Sequence, residues 1–124
     1  MSAPKVINLE EAHSRFSDLW SPKRIARVED YEVKLAKAEG EFVWHAHADE
    51  DELFLVTNGV LLIEIENADP VILGPGELTV IPKGIRHRPV VEEGPVHMLL
   101  LERSGVVNTG DAEPGEKTAV VDDL

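Results

Sequence analysis

The sequence predicts an all-β fold, an antiparallel sandwich or barrel with one short helix at the N-terminus. Three observations predict it. From Arg24 onward the chain breaks into short runs rich in Val, Ile and Leu. Gly, Pro, Asn or Asp punctuate those runs. The one convincing helix signal lies near the start. Regular short strands with turn signals between them are the pattern of a sandwich or barrel. At 124 residues the chain has room for one domain with a real core and too little for two ordinary ones, so 1–124 reads as a single domain. Hydrophobic residues at 43% and charged residues at 29% are a globular composition.

Taken in order, Asn8 can cap a helix over "LEEAHSRF", with Glu10 and Glu11 in the first turn, where the helix dipole favours acids. Ser21-Pro22 follows soon after, so the helix is short. Strands are expected at "RIARV", "YEVKLAKA", "EFVWHAH", "ELFLVT", "VLLIEIE", "PVILG", "ELTVIP", "HRPVV" and "VHMLLLE". Asn58-Gly59, between two apolar runs, signals a type I′ hairpin. Gly74-Pro75-Gly76 and Pro82-Lys83-Gly84 mark further turns. The polar tail, 108–124, wraps the barrel or is mobile, and "TAVV" within it is a candidate edge strand.

Several strands are apolar on both faces. In "ELFLV", Phe54 and Val56 share a face with Glu52, while Leu53 and Leu55 take the other. A sheet with one wet face alternates apolar and polar residues. The outer face is therefore expected to be covered, and a homodimer is favoured because one short helix covers little sheet.

Charge and composition exclude some function classes. The formal net charge of −12 repels phosphate backbones, so no nucleic-acid partner is expected. Cysteine is absent, which removes disulfide and thiolate chemistry. The N-terminus carries no basic segment followed by an apolar one, and no apolar run approaches a membrane span, so a cytoplasmic location without membrane association is expected.

The chemistry gathers in "FVWHAHADEDELFLVTNG". On a strand, residues i and i+2 share a face, so His45 and His47 project together and Phe42, Trp44 and Ala46 take the other side. A hairpin at "ADED" brings Glu52 back beside them, and His87, after the turn "PKGIRH", is a fourth candidate. Three imidazoles and a carboxylate form an N/O site suited to a divalent transition metal ion: Fe, Mn, Ni, Co or Zn. Asp49 to Asp51 read as solvated loop charge. His13 is expected on the surface and His97 as a buried, satisfied histidine. Trp44 is expected to pack under the helix or at a subunit contact. Lys83, Arg86 and Arg88 read as rim charge, with anion recognition as the sharper alternative.

The spacing resembles the cupin superfamily. Its first motif runs Gly, His-x-His, three or four residues, Glu, six residues, Gly; here these are Gly40, His45, His47, Glu52 and Gly59. Its second runs Gly, five residues, Pro-x-Gly, two residues, His, three residues, Asn; here Gly76, Pro82, Gly84 and His87 match, and Val91 replaces the Asn. Four residues separate Gly40 from His45 where the family usually has five. The matched stretch covers about 40–91, and its 16-residue interval, 60–75, is similar to that of compact single-domain bacterial cupins.

The resemblance implies a small jelly-roll β-barrel holding a metal on His45, His47, Glu52 and His87 near its open end. It further implies a metal-dependent enzyme, oxygenase- or isomerase-like, acting on a small oxygenated substrate. The alternative is a non-catalytic, metal-stabilised small-molecule binding or sensor domain. Tyr31, the acids near Glu52 and His97 are the only base candidates the sequence offers, and none is compelling.

Overall fold

The computed structural model describes residues 2–124. Helix α1 spans Leu9–His13. Eight strands follow: β1 (Lys23–Val28), β2 (Tyr31–Glu41), β3 (Glu52–Asn58), β4 (Leu61–Ile65), β5 (Val71–Leu73), β6 (Leu78–Ile81), β7 (His87–Arg103) and β8 (Asp122–Asp123). The all-β expectation holds, and the helix starts as expected: Asn8 Oδ1 accepts a hydrogen bond from Glu11 N at 2.9 Å. It ends at His13, three residues earlier than the pattern suggested.

Strand β7 organises the barrel. Its first half pairs with β4, from His87↔Ile65 to Val90↔Leu62. Its second half lies between β2 and β3, with Leu101 facing both Val33 and Leu53. "HRPVV" and "VHMLLLE" are therefore one strand that passes from one sheet to the other. β5 flanks β4 on one side; β6 flanks β3, and β1 and β8 extend β2, on the other. The core fills the space between, with Val56, Leu61, Ile63 and Val96 all fully buried. Burial on this scale is the main stabilising term of a small barrel.

Asn58-Gly59 does not form the expected hairpin. β3 and β4 are not partners; β3 pairs with β6 and β7, and β4 with β5 and β7. Gly59 has φ +87°, and an added Cβ would lie 3.0 Å from Val96 Cγ2. Only Gly fits that crossing, so the same dipeptide that favours a hairpin turn here carries the chain between sheets. A true hairpin joins β1 to β2 through Glu29-Asp30, with Val28 paired to Tyr31 and Glu29 at φ +54°.

The outer face of β6-β3-β7-β2 is apolar, as the two-sided strands predicted. Val80, Leu53, Leu101 and Val33 form one cross-strand row, and Leu78, Leu55, Leu99 and Leu35 the next. Helix α1 packs on β2, and Leu35 is fully buried. Leu78 and Val80 remain 57% and 47% exposed. The tail is ordered against the barrel: Asn108 donates to the carbonyls of Trp20 and Lys117. The extra edge strand is Asp122–Asp123, parallel to β1, and not "TAVV".

Candidate metal centre

The segment after β2 is not the continuous strand that "EFVWHAH" suggested. Phe42 to His47 run beside β7 with a single bridge, His45↔His87. His45 N donates to His87 O at 3.0 Å, and His87 N donates to His45 O at 2.8 Å. Gly84 N donates to His47 O at 2.8 Å, which ties the turn of the second motif to the first. Gly84 itself has φ +80°. Glu52 opens β3 opposite Ile81 and points inward with Phe54 and Val56. The chain from His47 to Glu52 is a loop, and Asp51 in it accepts from Lys83 N at 2.9 Å. Two distant stretches thus converge through backbone bonds, independent of what the side chains bind.

All four predicted side chains meet. His45, His47, Glu52 and His87 are each 5% exposed or less. Each offers one ligand atom, and these atoms lie within 4.8 Å of one another. His45 Nδ1 donates to Val43 O at 2.8 Å and His87 Nδ1 to Ile85 O at 2.9 Å. A carbonyl only accepts, so these bonds place the proton on Nδ1 and the lone pair on Nε2, the arrangement that imidazole ligands use.

The residues fit a metal ion. His47 Nε2, Glu52 Oε1 and His87 Nε2 are buried without a hydrogen-bond partner. Leaving such atoms unsatisfied costs about 1–3 kcal/mol each. Glu52 Oε1 lies 3.5 Å from His47 Nε2 and 3.4 Å from His87 Nε2. Those gaps are long for hydrogen bonds, yet they match two atoms each about 2.1 Å from one ion across a tetrahedral angle.

The electrostatics agree. Burial, and then the neighbouring His87, push His45 down to about 4, so it is neutral and basic toward a cation. His47 is raised: burial opposes its charging, and the hydrogen-bonding and charge pull of Glu52 outweighs burial. Glu52 is held far below the ordinary carboxylate range; burial works against this, and His47 and His87 overcome it.

Beside the cluster is a small cavity of about 40 Å³ that opens to the surface. Trp20, Phe42, Phe54, Met98 and Leu100 make it largely apolar. Phe42 is a correction: it was expected on the face opposite the ligands, but the irregular backbone turns its ring edge-on to His45, with centroids 5.3 Å apart. Trp44 does not line the cavity; Arg86 and Arg88 lie over its ring. Those arginines also pair with Glu66, Glu64 and Glu41, consistent with rim charge. His13 is 1% exposed, not on the surface, and stacks on His97 with centroids 4.6 Å apart. Tyr31 lies on the outside against Arg103.

Sequence reasoning missed a second buried polar group. Glu32, Lys34 and Glu102 are each 1% exposed or less. Lys34 Nζ donates to Glu102 Oε1 at 2.9 Å and lies 3.8 Å from Glu32 Oε1. Burial, and then the charge of Glu52, raise Glu102 to about 9. Alternation held the signal: Glu32 and Lys34 share parity with Ala36 and Ala38, and Glu102 with Met98 and Leu100. The tail was also missed as a support. Asp111 Oδ1 accepts from Ala46 N at 2.7 Å, and Asp111 N donates to Ala46 O at 3.1 Å, clamping the residue between His45 and His47.

Comparison with known proteins agrees with this geometry. The curated protein YdbB of Bacillus subtilis (strain 168), itself uncharacterized, is 40% identical over 80 residues. The match takes in 64% of this chain and 65% of YdbB, so it spans less than two thirds of that relative. A cupin-2 domain protein from Shewanella frigidimarina superposes with a TM-score of 0.76 at 45% identity, over 79% of this chain and 94% of that one. NMB1881 from Neisseria meningitidis superposes with a TM-score of 0.72 at 27% identity, over 81% and 100% respectively. The Cupin domain family model matches residues 31–102, which include all four clustered side chains and Lys34 and Glu102. The barrel, the motif spacing and these matches lead to one assignment: the chain belongs to the cupin family.

Proposed function

We propose that His45, His47, Glu52 and His87 hold one divalent transition metal ion, of the group Fe, Mn, Ni, Co and Zn, and that a small oxygenated molecule binds it from the cavity. The observation that carries this reading is the set of three buried, partnerless atoms, His47 Nε2, Glu52 Oε1 and His87 Nε2, facing one another. When bound, such an ion supplies a Lewis acid, and also a redox centre if it is iron, manganese or nickel. The protein's own contribution is orientation and exclusion of water. The Nδ1 bonds fix two imidazoles, and the apolar wall of Phe42, Phe54, Met98 and Leu100 keeps the open side dry.

The activity proposed is that of a metal-dependent enzyme, oxygenase- or isomerase-like. A second reading, a metal-stabilised binding domain without turnover, is favoured by the scarcity of acid–base groups in the cavity wall: beyond the cluster, only Glu102 titrates there. Elemental analysis of protein purified without chelator, then reloaded with each metal, tests the site. About one equivalent of metal is expected, and less than about a tenth sinks the reading. Metal with turnover on diketones, hydroxy acids or thiols selects the enzyme, and metal without turnover the binding domain.

We also propose a homodimer through the apolar rows of β6-β3-β7-β2, where Leu78 and Val80 stand exposed beside Leu53 and Leu55. Light scattering of Leu55→Asp reads this: dissociation to monomer is expected, and an unmodified protein that is already monomeric contradicts it.

A further inference from the structure

The cavity beside the cluster measures about 40 Å³, room for roughly three water-sized groups. Among the described residues, the polar side chains of its wall outside the cluster are already engaged. Glu102 is held by Lys34 Nζ at 2.9 Å and by Glu52. Asn108 donates to Trp20 O and Lys117 O and accepts from Ala119 N. Trp20 Nε1 donates to Glu39 O at 3.1 Å. Beyond the cluster itself, a ligand entering this space meets hydrocarbon.

Trp20 closes the space. It lines the cavity and also a groove outside it, together with Asp18, Glu39 and Lys117. Its ring stacks on Phe42 with centroids 4.7 Å apart, and Phe42 stands edge-on to His45 at 5.3 Å. Its indole nitrogen reaches the other way, to Glu39 at the groove. One aromatic layer thus separates the cavity from the outside.

The backbone there is strained. Trp20 has φ +58°, in the left-handed region that bulky side chains rarely adopt and that Gly or Asn usually fills. Besides the indole bond, Trp20 N donates to Lys37 O at 2.8 Å and Asn108 Nδ2 donates to Trp20 O at 3.1 Å. Strain of this kind persists where the surroundings over-determine it, and it gathers at ligand clamps. Closing the barrel end with apolar bulk alone does not call for a strained residue.

We infer that Trp20 is the specificity-determining residue of the site: its indole caps the cavity and limits ligands at the metal to short molecules of a few heavy atoms. This deepens, and rests on, the metal-site reading above. The ligand class is a short oxygen-bearing compound, such as a short-chain carboxylic acid, and excludes aromatic acids and sugars.

The test uses cobalt(II)-loaded full-length protein, with metal content measured first and ligand binding read from the cobalt absorption bands. The probes are acetate and benzoate, which share a carboxylate head and differ in size. The variants are Trp20→Gly, which opens the cap and suits the positive φ, and Trp20→Phe, which keeps a smaller ring. Both retain the two backbone bonds. In the unmodified protein acetate is expected to bind more tightly than benzoate by about tenfold or more, the least cost of forcing extra carbons into a packed site. Trp20→Gly is expected to erase that preference by a gain in benzoate binding, with acetate little changed and cobalt retained. Trp20→Phe is expected to shift the preference part of the way, and its milder change keeps the test independent of how well the glycine variant folds. Equal binding of the two probes by the unmodified protein overturns the inference, as does an unchanged preference in both variants. A parallel loss of both probes, or a loss of cobalt in both variants, also overturns it, since either marks a role in folding alone. Cobalt uptake with neither probe bound overturns the ligand class. Failure of the unmodified protein to take up cobalt overturns the metal site itself.

Discussion

Two polar clusters lie inside this barrel, and they differ in what their atoms lack. His45, His47, Glu52 and His87 bring lone pairs together with no donor between them. Glu32, Lys34 and Glu102 set an ammonium between two carboxyl groups, and Arg24 at the edge pairs with Glu32 and Asp123. On the proposed reading a cation completes the first cluster. The second carries its own. Burial of polar groups alone therefore does not mark a metal site; converging acceptors without a donor do.

The largest effect expected follows from that difference. His87→Ala removes one corner of the first cluster, and metal content by elemental analysis is expected to fall to background. Glu102→Leu with Lys34→Met leaves metal content unchanged. Equal metal loss in both would erase the distinction between the clusters.

Stability sharpens it next. Glu102→Leu alone leaves the buried Lys34 ammonium with only Glu32, at 3.8 Å, and is expected to cost about 3 kcal/mol in urea unfolding. The paired Lys34→Met/Glu102→Leu change is expected to recover most of that loss, because neither charge is left alone. Additive losses would mean that the two side chains do not act as a pair.

The pH response separates the clusters again. His45 has its pKa lowered to about 4 from an ordinary 6.5 in the metal-free protein. Between those values the unfolded chain binds the proton and the folded chain does not, so stability falls as pH drops from 6.5 toward 4. His47 has the opposite sign: its raised pKa stabilises the protonated form, and that contribution fades as pH rises through it. Metal needs both rings neutral, so affinity is expected to fall steadily as pH is lowered from about 8 to 5, read by competition with a chelating dye. His45→Gln removes its share of the acid dependence in thermal unfolding of the metal-free protein.

The smallest effect expected is at the tail. Asp111→Ala removes the acceptor for Ala46 N and loosens the backbone between His45 and His47. A loss of about 10-fold in metal affinity, the lower end for residues that support ligands, is expected by the same dye competition, with little change in fold. Gly110→Ala tests the same contact more harshly, since an added Cβ would sit 2.4 Å from Ala46 O.

How much of this was legible in the sequence depended on range. The four clustered residues were legible because their spacing is local: His45 and His47 are two apart, and glycines bracket Glu52 and His87. The inward rows of β3 and β7 followed from alternation. Asn58-Gly59 misled because a tight turn within a hairpin and a tight crossing between sheets ask for the same residues; only Val96, far along the chain, decides which. Phe42 was misplaced because alternation presumes a regular strand, and the chain after Glu41 is not one. His13 was misplaced because a five-residue helix shows little periodicity, and its burial depends on His97 on β7. Glu102 was overlooked although its parity pointed inward, because its meaning depends on Lys34, which is 68 residues earlier in sequence.

The central claim is that these four side chains bind one metal ion together. X-ray absorption on the cobalt-loaded protein tests it most directly. The account predicts a first shell of nitrogen and oxygen at about 2.0–2.2 Å with imidazole scattering beyond it, and weaker imidazole scattering in His87→Ala. A shell of oxygen alone, or imidazole scattering unchanged by His87→Ala, would contradict it.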